Sequence, residues 1–261
     1  MTHIAHGLAA ALYLLASLLG AVKRGRTTRS VIWLLAIGAL VHAVGFVDLH
    51  FQTPPIPLGS FPAALSLIGW LTVVAYLLCL GMDPIRAGAA WVAVGTGLVT
   101  VAAGLAIRWQ GPPVAGLESS PAWSHAHVLL SAGGFSLLAL TSLAGLAYLA
   151  KERELKYKRS PRLLLPSLEG LDRFEHVSLS VGFPLLTLAV ITGFVWGADR
   201  GISPWTYHTF WLLSAWLVYL LPVGLRVVRH QHGHLPARSV VLGFVLLVFS
   251  YVGIRLLGTA V

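Results

Sequence analysis

The chain has 261 residues, of which 57% are hydrophobic and only 10% charged, and it carries a formal net charge of +9. A soluble domain carries about 25% charged residues, so this composition excludes a soluble globular protein. The basic excess gathers in short loops between apolar runs, so its partner is the lipid bilayer and not nucleic acid.

The apolar runs are about 20 residues long, the length that crosses a bilayer. Eight spans are predicted, at residues 3–22, 31–50, 61–81, 87–107, 124–150, 174–197, 206–226 and 239–258. Backbone polar groups in hydrocarbon must satisfy one another, so each span is a helix. The expectation is an all-α, polytopic membrane helical bundle, a single integral membrane domain over residues 1–261. Fifteen of the eighteen Lys and Arg residues fall in loops 23–30, 82–86, 151–173 and 226–238. Only Arg108, Arg200 and Arg255 fall on the opposite side. The excess of positive charge in cytoplasmic loops then places both termini outside the cytoplasm. The single cysteine, Cys79, permits neither an internal disulfide nor a CxxCH haem attachment. The first run has no basic leader segment or clear cleavage site and reads as a retained span.

In chain order, the first span opens with His3 and His6, which share a face and read as interfacial polarity. The second holds His42 about two turns below its outer end, where a polar side chain needs a partner in the bundle. Asp48 and the interfacial His50 close it. Ser66 and Trp70 share a face of the third span. Gly97 and Gly104 in the fourth permit close helix contact.

At the start of the fifth span, His125 and His127 are two residues apart and point to different sides. His127 shares its face with Ser131 and Gly134, whose small side chains leave room, and is the one expected to turn inward. The long basic segment 151–173 could lie on an anionic leaflet. Glu175 and His176 beyond it read as interfacial polarity, and His230, His232 and His234 as solvated loop.

Residues 182–226 hold four of the nine tryptophans, Trp196, Trp205, Trp211 and Trp216, around the polar break Asp199–Pro204. Trp205, His208 and Trp211 stand three apart and line one helix face. An imidazole between two aromatic planes at a membrane surface suits a flat, apolar, iron-bearing ligand such as haem. No nucleotide-binding or hydrolytic pattern accompanies it.

Several segments resemble one family. These are LDRFEHVSLSVGFPLLTLAVITGFVWG at 171–197, Trp123 to Val128, Trp211 to Tyr219, and the tail PARSVVLGFVLLVFSYVGIRLLG. They resemble the cytochrome c assembly family of haem-handling membrane proteins, the CcsA, CcmC and HemX types. FPAALSLIGW at 61–70 is similar to the shorter HemX-like branch. The resemblance implies haem binding or delivery at the outer face of the cytoplasmic (inner) membrane, in cytochrome c maturation. It implies haem b as cofactor, and apocytochrome c and other maturation membrane proteins as partners. Trp196 and Trp205 match tryptophans of the family's tryptophan-rich segment, and His127 matches the histidine before it. Thr206 stands at the segment's Asp position, Gly224 replaces a membrane histidine, and the histidine after the segment has no counterpart. These departures fit the HemX-like branch, some of whose members are linked to control of haem synthesis.

The resulting expectation is haem handling without catalysis. His127 and His208 serve as iron ligands, His42 or His50 stand in reserve, and Trp196, Trp205 and Trp211 cover porphyrin faces or edges. The alternative is a regulator of haem synthesis that binds no haem and acts through loop 151–173. A dihaem quinol oxidase would need histidine pairs at two depths, whereas only His42 lies deep.

Overall fold

The computed structural model describes residues 1–22, 28–51, 56–81, 88–108, 122–157, 165–199, 201, 207–227 and 233–253. Eight α-helices account for nearly all of them. They are α1 (Thr2–Val22), α2 (Arg29–Phe51), α3 (Phe61–Leu78), α4 (Ala89–Arg108), α5 (Ala122–Lys156), α6 (Leu168–Asp199), α7 (Tyr207–Val227) and α8 (His234–Val248). A 3-10 turn, Cys79–Gly81, ends the third span, and a π-helical turn, Phe249–Gly253, ends the eighth. All eight are long and apolar enough to cross a membrane. The protein is a multi-pass membrane helical bundle.

Alternating spans define two rims. The N-terminal rim carries the start of α1, α3, α5 and α7; the basic rim carries their other ends. The bundle divides into two four-helix halves. In the first, Tyr13, Leu35, Val73, Tyr76 and Ala93 of α1–α4 pack into a core that also takes in Leu140 and Ala144 of α5 and Phe174 of α6. In α5–α8, Leu138, Leu179, Leu186, Ala215, Tyr219 and Val240 form another. Helices α3 and α5 join the halves: Leu67 and Ile68 pack on Ala132, and the Ser136 hydroxyl donates to the Ile68 carbonyl at 3.1 Å.

Small residues set the closest crossings. A Cβ on Gly134 would lie 2.9 Å from the Leu186 backbone nitrogen, so only glycine lets α5 and α6 approach this far. The space beside Gly134 is therefore filled by α6. Gly97 admits Leu14 in the same way, where α1 crosses α4.

Three boundaries differ from the hydropathy expectation. Helix α5 runs six residues past residue 150, and α6 begins six residues before 174. Hydropathy marks the part of a helix that can sit in lipid, whereas Lys151–Lys156 continues the helix in helix-favouring residues. Ser167 accepts the Gly170 N–H at 3.2 Å and caps the start of α6. Helix α8 begins at His234, right after Gly233, whose φ of 117° suits glycine. His234 is thus helical and lies 3.7 Å from Glu152, where solvated loop was expected.

Candidate functional site

Among the sequence-predicted residues, His127 has the clearest chemical placement. His125 points outward and is exposed; His127 is turned against α6 and is half-buried. Its Nδ1 lies 2.8 Å from the Ala189 carbonyl oxygen. A carbonyl only accepts, so Nδ1 carries the proton and Nε2 keeps its lone pair. Among the described residues, no hydrogen bond reaches Nε2. The tautomer is the one metal-bound histidines adopt, with the far nitrogen anchored to the protein.

The neighbouring turn of α6 is shaped around this ring. A Cβ on Gly193 would lie 2.8 Å from His127 Cε1 and 3.0 Å from Nδ1, so glycine is needed for the ring to reach Ala189. Trp196, one turn further along α6, lies parallel to the imidazole, with centroids 6.5 Å apart and 9° between planes. Gly193 and Trp196 thus sit below and beside one imidazole.

Helix α7 contributes a position by register. Ala215, Tyr219, Pro222 and Arg226 form its buried stripe. Residue 208 falls seven residues, about two turns, before Ala215 on α7. The side chain of His208, that of His50, and all of Trp205 lie outside the described residues. Trp211 packs edge-on against Phe249 at 5.0 Å, so it contacts the π-helical end of α8. Trp216 stacks on Phe183 and donates to Thr187 Oγ1 at 3.0 Å, tying α7 to α6 at mid-height.

His42 is placed elsewhere. It is fully buried, and its contacts are on α1 and α3, whereas those of His127 are on α6. His6 is also buried, although the sequence reading left it at the interface. Its Nδ1–H donates to the Thr2 carbonyl at 2.9 Å, so its Nε2 accepts from the Ser66 hydroxyl at 2.9 Å. Ser66 Oγ in turn accepts from His42 Nε2–H at 3.0 Å, and the Tyr13 hydroxyl faces His42 Nδ1 at 3.4 Å. Both imidazoles are satisfied by three helices. Above them the Thr2 hydroxyl donates to Asp48. This network closes the α1–α4 core and leaves no nitrogen of His42 free for a ligand.

Sequence reasoning missed a second polar cluster. Glu175, read as interfacial, is fully buried, and with Asp172 it meets the buried Arg226 at the basic rim. His176 beside it is exposed. The signal was the register of α6, since Asp172, Glu175, Leu179 and Leu186 share one buried face. Among the described residues, no group of three or more His, Cys, Asp or Glu side chains forms a metal site.

At its N-terminal rim this membrane bundle presents one imidazole, anchored through Nδ1, beside a tryptophan. Residues 35–261 match the family model described as cytochrome C assembly protein. The chain belongs to the cytochrome c assembly family. It is 28% identical over 294 aligned positions to the cytochrome c biogenesis protein CcsA of Synechococcus sp. (strain WH7803), covering 97% of this chain and 91% of that protein. It is 26% identical to CcsA of Synechococcus sp. (strain CC9605), over 86% of this chain and 83% of that one. CcsA of Chlamydomonas reinhardtii is 27% identical over 58% of this chain and 42% of its own length. Membership supports a role in cytochrome c maturation, in a family that handles haem.

Proposed function

We propose that the protein holds haem b at its N-terminal rim, between α5, α6 and α7, and so assists cytochrome c maturation. The observation that carries this reading is the open Nε2 of His127, set by the hydrogen bond to Ala189. His127 is one iron ligand; His208, about two turns before Ala215 on α7, is the other. Trp196, parallel to the imidazole, would line the apolar side of the site. His42 has no part in the site.

Haem supplies the iron and the vinyl groups that become thioether-linked in a mature cytochrome c. The chain's own residues orient and shelter. Ala189 holds the His127 tautomer, Gly193 sets the ring's depth, and Trp216–Thr187 keeps α6 and α7 together below the site. The role is handling without catalysis, since the single cysteine and the residues at this rim provide no thiol to the ligand. The thiols belong to apocytochrome c, brought by a partner membrane protein. The basic loops at the opposite rim support an orientation with this rim outside the cytoplasm, in the cytoplasmic (inner) membrane.

Titration of the purified protein with haem tests the reading. The wild type should develop a low-spin, bis-imidazole absorbance. His127→Ala and His208→Ala should each lose it, and His42→Ala should keep it. Identical titrations for wild type and His127→Ala would refute the site.

A further inference from the structure

On the seam between the two halves, towards the basic rim, an apolar cleft opens between the start of α4, the second half of α5 and the chain entering α6. Ten described residues line it, and none of the ten has an ionisable side chain. Gly88 and Trp91 form its α4 wall, Leu140 and Ala147 its α5 wall, and Leu165 and Phe174 the α6 side. Its volume is about 410 Å³, open mouth included. Leu140 and Phe174 belong to the buried core and form its floor, whereas Trp91 is 52% exposed and stands at its edge.

The cleft runs lengthwise along α5. Leu140 and Ala147 stand seven residues apart on one face, which is two turns or about 10 Å of helix. A slot of this shape suits a hydrocarbon chain lying along the helices. Its rim end is cationic. Lys151 falls one turn beyond Ala147 on the same face of α5 and lies 3.9 Å from Glu154. From residue 156 to residue 167 the sequence carries Lys156, Lys158, Arg159 and Arg162 and no acidic residue. That stretch leads straight into Leu165, a wall of the cleft. Over residues 151–173 as a whole, seven basic residues stand against four acidic ones, of which Glu154 faces Lys151 and Asp172 meets Arg226. An apolar slot followed by a cationic stretch complements a molecule with an apolar tail and an anionic head.

We propose that this cleft is a lipid site, in which one acyl chain of an anionic phospholipid lies between α4, α5 and the start of α6. Its phosphate headgroup is drawn to Lys151, Lys156 and the basic stretch that follows. Ala89 of α4, Ala144 of α5 and Phe174 of α6 share one core beside the cleft. The chain therefore packs the α1–α4 half against the α5–α8 half at this end of the bundle. The site lies at the rim opposite His127 and stands independently of any ligand there.

Quenching of tryptophan fluorescence by brominated lipid tests this on the full-length protein in phosphatidylcholine vesicles. A minor fraction of the lipid carries bromine on its acyl chains, either as phosphatidylglycerol or as phosphatidylcholine. Bromine quenches a tryptophan only at contact. The wild type should be quenched more by the brominated phosphatidylglycerol, which gathers beside Trp91. Trp91→Phe should lose this excess, and so should Ala147→Phe, whose ring fills the cleft. Replacing Lys156, Arg159 and Arg162 together by Gln should reduce it. Equal quenching by the two lipids in the wild type would overturn the proposal. So would an excess that survives Trp91→Phe or Ala147→Phe, or one unchanged by the triple replacement. Quenching by a brominated free fatty acid but not by the phosphatidylglycerol would also reject the phospholipid. If Ala147→Phe does not fold, the other two variants decide: loss in Trp91→Phe and reduction in the triple variant support the site, and any other result rejects it.

Discussion

Replacing Gly193 by alanine tests whether the candidate ligand is positioned by α6 without touching the ligand itself. The new Cβ would lie 2.8 Å from His127 Cε1, whereas ordinary contacts begin at 3.4 Å. The imidazole must then retreat by ~0.6 Å, which takes its 2.8 Å bond to Ala189 to about 3.4 Å, past the usual limit of about 3.2 Å. Losing one such bond costs about 0.5–1.5 kcal/mol of stability, so the bundle should still fold. Loss of an anchoring hydrogen bond to a ligating histidine typically weakens metal affinity about 10–100-fold. Haem titration followed by absorbance should therefore show Gly193→Ala binding about 10–100-fold more weakly than wild type, with a melting temperature only slightly lower. In the His127→Ala background the same substitution should add nothing, since no ring remains to displace. A Gly193→Ala protein that binds haem like the wild type would refute the positioning role. So would equal penalties in both backgrounds.

Four further outcomes are expected. Arg226→Leu removes the guanidinium that meets the fully buried Glu175 and should cost about 3–5 kcal/mol, read as an early melt in detergent. Ser66→Ala removes the hydroxyl shared by His6 and His42 and should cost about 1–3 kcal/mol while leaving haem affinity unchanged, which separates the α1–α4 network from the rim site. Gly134→Leu drives a side chain into the α6 backbone and should destabilise by at least about 1–3 kcal/mol, measured by thermal aggregation. For topology, a cysteine at Arg153 in a Cys79→Ala chain should react with a membrane-impermeant maleimide only after cells are opened; reaction in intact cells would invert the proposed orientation.

Much of this fold is legible in the sequence because a bilayer imposes one rule on every span. The ends of α1, α2, α4 and α7 fall within a few residues of the hydropathy boundaries. The misses lie where helix and hydrocarbon part company. At about 1.5 Å per residue, the 35 residues of α5 run about 52 Å, well beyond a hydrocarbon core of about 30 Å, and hydropathy is silent on the excess. Within spans, inward orientation was legible where a stripe of small or apolar residues accompanies the polar one. His127 with Gly134 was read this way. His6 carries an equally clear stripe in Ala9, Tyr13, Ala16 and Gly20, all buried, yet its place near a helix end favoured the interfacial reading. Glu175 failed for the same reason: closeness to the chain's basic loop outweighed its register with Leu179 and Leu186.

Pairing between helices was not legible at all, and it separates the histidines by function. His42 is the deepest histidine in the sequence, and depth alone made it a candidate ligand. Yet Ser66, on a different span, takes up its Nε2. His127 meets a backbone carbonyl, which fixes one nitrogen and leaves the other open. A hydroxyl both donates and accepts, so it can close a chain between two imidazoles; a carbonyl only accepts, so it ends one. That difference in partner chemistry makes the first histidine part of the core and the second available to a ligand. Ser66→Ala should therefore disturb folding and spare the rim, and Gly193→Ala should do the reverse.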